Sequence, residues 1–301
     1  MPALHALPTL PTLPTLPQAP AAIAVACHDA GACNLILPWL DQPQLRLQAW
    51  VAGPAEVLWR RRFGTRGLCA SLQEALEGAA VLVSGTGWAS TLEHDARVEA
   101  ARRGLHTVAV IDHWVNYPER FERDGHVQWP DEFWLTNDQA FALAARHFPR
   151  DRLRLQPDLQ LAEQLAAAGP TPPPEGAEIL YLMEPARSRW GRDEEGEWQA
   201  LAWFEAMRRQ AGLPEHARVR LRPHPSDPPG KYDAWLAGRP HVALDRHPTL
   251  AQALSGARWV VGCESHAMTV ALACGREVYT SLPPWAPPCR LPHAGIRRLV
   301  A

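Results

Sequence analysis

Several features that would assign the chain to a functional class are missing or scarce. Its 301 residues carry a formal net charge of -2, so there is no basic excess to hold nucleic acid by bulk electrostatics. No apolar run reaches the ~20 residues that a membrane-spanning helix needs. Lysine is almost absent, since Lys231 is the only one. We expect a cytoplasmic protein with no nucleic-acid partner and no transmembrane segment, while peripheral association with a membrane stays open.

The cysteines form no pair or cluster with the spacing of a zinc or redox site. The chain contains no CxxC sequence and no group of His and Cys at zinc-finger spacing. We interpret all the cysteines as reduced thiols and expect no metal at the functional site. There are six: Cys27, Cys33, Cys69, Cys263, Cys274 and Cys289.

Proline marks the predicted boundaries of the chain. The first 20 residues repeat Thr-Leu-Pro three times, which excludes a helix and predicts a disordered tail outside the fold. This segment lacks the basic start and apolar core of a signal peptide. A second proline cluster, residues 169–174, predicts a linker. We therefore expect a tail over residues 1–20, a first domain over 21–160, a linker over 161–176 and a second domain over 177–301.

Short apolar runs alternate with helical segments in both predicted domains. Strands are predicted at residues 22–26, 45–51, 80–84, 107–111 and 132–136, and again at 178–183, 218–222, 241–244, 259–261 and 278–281. Such β-α alternation indicates parallel sheets with helices on both faces. The predicted fold class is α/β, with two Rossmann-like doubly wound parallel-sheet domains that face a cleft.

The clearest candidate site follows the strand at residues 259–261. Gly262 and Cys263 allow a sharp turn, Ser265 stands where an N-cap is expected, and Gly275 ends the predicted helix. The unpaired amides at the start of this helix would lie at the carboxyl end of a parallel strand. Open α/β sheets bind ligands there, and an anion such as phosphate is stabilised there.

A second strand is predicted to end at the same site. In RVRLRPHP, residues 218–225, apolar and basic residues alternate until two prolines enclose His224. Arg222 offers a fork for phosphate and His224 a titratable donor. Glu264 offers an acceptor for ribose hydroxyls. Alternatively, the proline-bounded segment is only a rigid turn, and Ser265 only a helix cap. Three further residues follow strand ends or stand beside the cap: Glu184, Arg187 and His266.

Candidate catalytic residues follow the strands of the first domain. His28 and Asp29 occupy a strand-to-helix loop, where either could act as a base, although Asp29 could equally cap the helix. Asp112 and His113 end a later strand and form a second candidate pair. The loop Gly85, Thr86, Gly87 and Trp88 indicates a backbone that closely approaches a ligand, with Trp88 able to stack on a sugar or base.

These segments resemble glycosyltransferases of the GT-B fold. HDAGACNLI, DHWVNYPERF, LRPHPSD and VVGCESHAMTVALACGREV look like pieces of bacterial enzymes that build surface polysaccharides and glycans. The pair His224-Pro225 is similar to the His-Pro motif of bacterial sialyltransferases and Kdo transferases. That resemblance implies that His224 contacts the phosphate of a CMP-sugar donor and that Ser265 helps to bind it. It also implies that residues 295–300 return to the first domain.

The resemblance implies a metal-independent glycosyltransferase. It would move a sugar from a CMP- or UDP-linked donor to a glycan or lipid-linked acceptor, without another cofactor. His224, Arg222 and the helix amides would stabilise the leaving phosphate, and Asp29, or else Asp112 or His113, would take the acceptor's proton. Two alternatives stay open: a nucleotide-sugar 2-epimerase or hydrolase of the same fold, and a non-catalytic nucleotide-sugar-binding protein. A nicotinamide or methyl-donor enzyme is disfavoured because HDAG replaces a glycine fingerprint.

Overall fold

Each half of the chain builds its own parallel sheet of six strands, as a computed structural model shows. The structure describes residues 16–17, 21–87, 90–186 and 188–300, and divides into two compact units between Gln160 and Leu161. Helices alternate with the strands in both units. The predicted fold class, two doubly wound Rossmann-like domains, is confirmed at this level.

The first unit begins with a strand that is buried along its whole length. Its helices and strands are β1 (Ala22–Cys27), α1 (Ala30–Leu40), β2 (Arg46–Val51), α2 (Gly53–Phe63), α3 (Leu72–Leu76), β3 (Ala79–Ser84), α4 (Leu92–Arg102), β4 (His106–Val110), β5 (Glu122–Arg123), β6 (His126–Val127), β7 (Glu132–Leu135), α5 (Asp138–Ala144) and β8 (Leu153–Leu155). The helix α6 (Leu159–Ala168) spans the boundary between the units. The continuous apolar sequence of β1 fits a central parallel strand with helices on both faces.

The strand order of the first sheet is β2-β1-β3-β4-β7-β8, and all its pairs are parallel. The order reverses between β1 and β3. At such a switch point the loops after the two strands diverge and leave a crevice at the carboxyl edge of the sheet. The loops that follow β1 and β3 carry His28, Asp29 and residues 85–87.

The second unit has the strand order of a Rossmann sheet. Its elements are β9 (Glu178–Leu182), α7 (Gly196–Met207), β10 (Val219–Arg222), α8 (Asp233–Leu236), β11 (Val242–Leu244), α9 (Leu250–Ser255), β12 (Ala257–Gly262), α10 (His266–Ala273), β13 (Glu277–Thr280) and β14 (Ile296–Arg298). The order β11-β10-β9-β12-β13-β14 corresponds to 3-2-1-4-5-6. Its switch point therefore lies between β9 and β12.

Three expectations from the sequence need correction. Leu16, assigned to the tail, is buried in the core of the first unit because its apolar side chain packs there; the rest of residues 1–20, apart from Pro17, lies outside the described residues. Residues 296–298 do not return to the first domain, since they form β14 beside β13 in the second sheet. A helix that the sequence analysis missed, α2, begins with Gly53-Pro54 and was obscured by its three arginines.

No helix in the described part of the chain is long and apolar enough to cross a membrane. All six cysteines are free thiols in the structure.

Candidate functional site

At the carboxyl edge of the first sheet, three glycines lie against three polar side chains. A Cβ atom on Gly31 would stand 1.7 Å from Asp112 Oδ2, and one on Gly87 would stand 2.1 Å from Asp29 Oδ2. A Cβ on Gly53, whose φ is +56°, would stand 2.6 Å from His28 Nε2. Three of the predicted catalytic residues therefore pack directly against the backbone of a glycine, at positions where any larger residue would collide with them.

His28 and Asp29 form a bonded pair. His28 Nδ1 lies 2.8 Å from Asp29 Oδ1, and the two side chains are 22% and 29% exposed. Asp29 occupies the N-cap position of α1, yet its side chain makes no capping hydrogen bond. The Asp29 carboxylate therefore does not cap α1; it faces His28 and Gly87 instead.

Asp112 is held by a buried arginine that the sequence analysis missed. Arg120 Nη1 donates to Asp112 Oδ1 at 3.0 Å and to Thr86 Oγ1 at 3.0 Å, and Arg120 is 4% exposed. The Thr86 hydroxyl donates to the Val110 carbonyl, so this residue ties β3 to β4. His113, half-buried, packs its ring edge-on against Trp114. Trp88 lies outside the described residues.

Two further charged residues of this edge, both on α4, also escaped the sequence analysis. Glu93 Oε1 accepts the His28 backbone N–H at 2.8 Å, while Arg97 Nη1 donates to the Gly85 carbonyl at 2.8 Å. Both side chains are about 1% exposed, and burial lowers the pKa of Arg97 to about 10. The available signal was their spacing of four residues on a face that is otherwise apolar.

At the switch point of the second sheet, the Glu184 carboxylate lies on the amides for which the sequence predicts a bound anion. Its carboxylate accepts backbone N–H groups from Cys263, Glu264 and Ser265 at 2.8 to 2.9 Å. We call these three consecutive amides the amide nest; they immediately precede α10. Gly262 permits this approach, since a Cβ there would stand 3.2 Å from Glu184 Oε1.

Glu184 has an unusual protonation equilibrium. Burial raises its pKa to about 7, although the hydrogen bonds from the nest amides act in the opposite direction. The carboxyl group therefore exchanges a proton near neutral pH, where most carboxyl groups are fully ionised. At the start of α10, where the sequence predicts the anion of a ligand, the amides donate to the protein's own carboxylate.

His224 stands at the end of β10 as a neutral hydrogen-bond donor. Its Nδ1 lies 2.7 Å from Ser226 Oγ and accepts the Ser226 backbone N–H at 3.2 Å, so Nε2 carries the proton. Burial lowers the pKa of His224, which keeps the ring neutral at pH 7. The expected turn is present and is built by Asp227, whose Oδ2 accepts the His224 backbone N–H at 2.8 Å.

Arg222, predicted as a phosphate ligand, is engaged by a buried acid that the sequence analysis missed. Asp245, at the end of β11, accepts hydrogen bonds from Arg220 at 2.7 Å and from Arg222, and its side chain is fully buried. Burial alone would raise the pKa of Asp245, but hydrogen bonds from His247, Arg222 and Arg220 lower it. Arg222 also donates to the His247 carbonyl at 3.0 Å.

The remaining predicted residues of this edge lie on the nest. Ser265 caps α10, with its Oγ accepting the Ala267 backbone N–H at 3.2 Å, as predicted. The Glu264 carboxylate pairs with Arg290, a cation that the sequence analysis did not select. His266, half-buried, is the first residue of α10. Arg187 lies outside the described residues.

Strand register brings the second unit's candidates to one edge. Arg222 pairs with Leu182, and Tyr181 pairs with Val261, so the chain leaves β10, β9 and β12 at nearly the same height. Neighbouring strands are ~4.8 Å apart, so the ends of β10 and β12, which lie on either side of β9, are separated by about 10 Å. This gathering of a neutral imidazole donor, an amide nest and Arg290 suits a ligand that carries phosphate.

A separate groove of about 640 Å³ lies on the outer face of α7 and contains none of these residues. Its walls include Trp203 and Trp285, with the Arg192 guanidinium 3.6 Å from the centre of the Trp285 ring. Among the residues that the structure describes, no group of three or more His, Cys, Asp or Glu side chains could hold a metal ion.

No family model matches the chain, and no curated protein matches its sequence. Solved structures do match its fold. S. aureus MnaA, in a co-structure with UDP, aligns over 86% of this chain and 79% of its own, with 10% identity and a TM-score of 0.59. The UDP-GlcNAc 2-epimerase of Methanocaldococcus jannaschii, in complex with UDP-GlcNAc and UDP, aligns over 86% and 83%, with 8% identity and a TM-score of 0.56.

The alignment with a third solved structure, the glycotransferase of kitacinnamycin, covers a larger share of each chain than the two alignments above. This glycotransferase aligns over 93% of this chain and 86% of its own, with 14% identity and a TM-score of 0.51. At these identities the likeness concerns the fold alone. The chain therefore has the two-domain GT-B-like fold that glycosyltransferases and UDP-GlcNAc 2-epimerases share.

Proposed function

We propose that the protein is an enzyme that acts on a nucleotide sugar, with the nucleotide held at the carboxyl edge of the second sheet. The observation that carries this proposal is the amide nest at the switch point between β9 and β12, with neutral His224 two strands away. Backbone amides and a neutral imidazole N–H can donate hydrogen bonds to the oxygens of a diphosphate, and the proposal includes no metal ion. Two solved structures of this fold hold UDP, one of them with UDP-GlcNAc as well, which supports a nucleotide sugar as the ligand.

The first reaction that we consider is glycosyl transfer. The bond between the anomeric carbon and the phosphate oxygen breaks, and its electron pair stays on that oxygen. His224 Nε2–H would stabilise the charge that develops there. The acceptor hydroxyl oxygen bonds to the anomeric carbon, and its proton passes to a carboxylate of the first unit, for which we favour Asp29 because it is spared from capping. Asp112 and His113 are the next candidates.

The second reaction is 2-epimerisation of the sugar nucleotide, or its hydrolysis, which needs no acceptor. The similarity to two solved structures of higher TM-score, one of them a UDP-GlcNAc 2-epimerase, supports this candidate equally well. The resemblance in the His-Pro segment supports transfer and suggests a surface polysaccharide as the product. The donor would be CMP- or UDP-linked in either case.

Product analysis separates these reactions. The protein is incubated with CMP-, UDP-, GDP- and ADP-linked sugars, with and without an extract of glycan acceptors, and the products are identified by mass spectrometry and NMR. An epimerised sugar that remains nucleotide-linked indicates an epimerase. Free nucleotide formed only with acceptor indicates a transferase, and free nucleotide with free sugar indicates a hydrolase. Intact donors in every mixture would contradict the proposal of an enzyme.

A further inference from the structure

The amide nest is filled by a side chain from the same domain. Glu184 follows β9 by two residues, while the nest follows β12, its parallel neighbour. The carboxylate makes four hydrogen-bond contacts to three consecutive amides. A carboxylate and a phosphate group use such amides in the same way, since both are anions with several acceptor oxygens. Glu184 and a bound phosphate therefore cannot use the nest together.

We propose that Glu184 is a built-in competitor for the phosphate of the ligand, and that the nest becomes available only when this carboxyl group leaves it. The inference rests on the proposed nucleotide-sugar function and adds a regulation of the same site. An incoming anion would meet Arg290, which the Glu264 carboxylate holds beside the nest. Glu264 thereby contributes an amide to the nest and positions a cation next to it.

Proton uptake by Glu184 should favour the exchange. The ionised carboxylate is the stronger acceptor for amide N–H groups, whereas the protonated acid carries an O–H that the nest cannot satisfy. Because burial raises the pKa of Glu184 to about 7, this carboxyl group changes between its protonated and ionised forms around neutral pH. The other titratable groups facing Glu184 are Tyr181, Cys263, Cys289 and Glu264. Burial raises the pKa of the phenol and of both thiols, so these groups stay neutral in that range.

Sulfate is the probe of choice because its charge does not change between about pH 5.5 and pH 8.5. We would titrate the full chain with sulfate by calorimetry at about pH 6 and about pH 8, comparing wild type with Glu184→Gln. One pH unit above the pKa, an anion that requires protonated Glu184 binds about tenfold more weakly. We expect Glu184→Gln to bind sulfate about tenfold more tightly than wild type at pH 8, with the difference shrinking at pH 6.

The matched control is Glu277→Gln. This acid is on β13 of the same sheet but at the opposite, amino edge, where it pairs with Arg258 at 3.1 Å. The control should bind sulfate as wild type does. Equal or weaker sulfate binding by Glu184→Gln at pH 8 would overturn the inference.

A second measurement uses the wild-type protein alone. The amide resonances of Cys263, Glu264 and Ser265 should shift together with a midpoint near pH 7, and added sulfate should move that midpoint upward. Resonances that stay constant between about pH 5.5 and pH 8.5 would also overturn the inference.

Titration with UDP and with uridine separates this inference from the proposed function. Glu184→Gln should tighten UDP binding and leave uridine, which has no phosphate, unchanged. If UDP, uridine and CMP, titrated in the same way, all fail to bind every variant but sulfate behaves as described, the nucleotide-sugar proposal fails and the role of Glu184 as a competing anion stands.

Discussion

Both units place a carboxylate at the start of the helix that follows a central strand, but they hold it differently. In the first unit Asp29 belongs to the loop that leads into α1, makes no capping bond and is 29% exposed on its side chain. In the second unit Glu184 comes from the neighbouring strand, is half-buried, and accepts hydrogen bonds from all three amides of the nest.

This difference suggests a division of roles between the two sheet edges. A partly exposed carboxylate beside a histidine is suited to accept a proton from a substrate. A set of backbone amides whose hydrogen bonds are all taken by a carboxylate is suited to hold an anion and to exclude another one until that carboxylate moves. The following experiments test that contrast, from the largest expected effect to the smallest.

The second edge should depend most strongly on its buried ion network. Asp245→Ala removes one of the two carboxylates that pair with Arg220, which is 6% exposed, and leaves only Glu178. Loss of one partner of a buried ion pair costs about 3–5 kcal/mol, so we expect a drop of that size in the free energy of unfolding. Urea unfolding measures it, with Asp193→Ala, an exposed acid of the same unit, as the control.

The same variant should change the pH dependence of stability. Because the pKa of Asp245 is lowered in the folded protein, its stabilisation is present above the unfolded pKa of about 3.9 and is lost as pH falls through the folded value. Wild type should therefore lose stability in acid more steeply than Asp245→Ala. If the free energies of unfolding of wild type and Asp245→Ala change in parallel with pH, ionised Asp245 does not stabilise the ion network.

The first edge should depend on Asp29 for turnover but not for binding. We expect Asp29→Asn to reduce turnover of the nucleotide sugar by about 10²-fold or more, because the amide cannot accept the proton. Nucleotide affinity should stay the same. The control is Asp41→Asn at the other end of α1, where the acid pairs with Arg62. Unchanged turnover in Asp29→Asn would shift the role to Asp112 or His113.

The packing of Asp112 on Gly31 should be visible as energetic coupling. Alanine normally stabilises a helix by ~1 kcal/mol relative to glycine, but a Cβ on Gly31 would displace the Asp112 carboxylate from Arg120. We expect Gly31→Ala to lower the free energy of unfolding by about 1–3 kcal/mol. The effect should disappear, or change sign, when Asp112→Ala is also present. Additive effects in this double-mutant cycle would contradict the contact.

The smallest expected effect compares two helix caps. Ser265 and Ser71 each accept a backbone N–H at 3.2 Å, from Ala267 and Glu74 respectively. Replacing either by alanine should cost about 1 kcal/mol of stability. Only Ser265→Ala should also weaken nucleotide binding, because it loosens the start of α10. Equal nucleotide affinity in both variants would show that the amide nest does not contribute to nucleotide binding.

The sequence was informative wherever the determinants are local. The run Trp259 to Gly262 followed by Ser265 predicted a strand, a turn and a capped helix, and these are confirmed. The alternation of strands and helices likewise predicted both sheets. Such features depend on side-chain periodicity and on single capping residues, which are visible within a few positions.

The contents of the site depend on pairing between distant segments. Glu184 lies 79 to 81 positions before the amides that it contacts, and only the register of β9 against β12 brings them together. Asp245 similarly reaches Arg220 and Arg222 because β11 pairs with β10. A polar residue after a strand is visible in the sequence, but its partner at the sheet edge is not, because strand order is a property of the whole domain.

The most direct test of the account is calorimetric titration of the full chain with CMP, CDP, UDP, GDP, NAD and S-adenosylmethionine. It would be repeated with His224→Ala and, as the control, with His241→Ala, an exposed histidine at the amino end of β11. We predict selective binding of one pyrimidine nucleotide that is weakened at least tenfold in His224→Ala and unchanged in His241→Ala. Binding of none of these ligands, or of NAD instead, would contradict a nucleotide-sugar site at the edge of the second sheet.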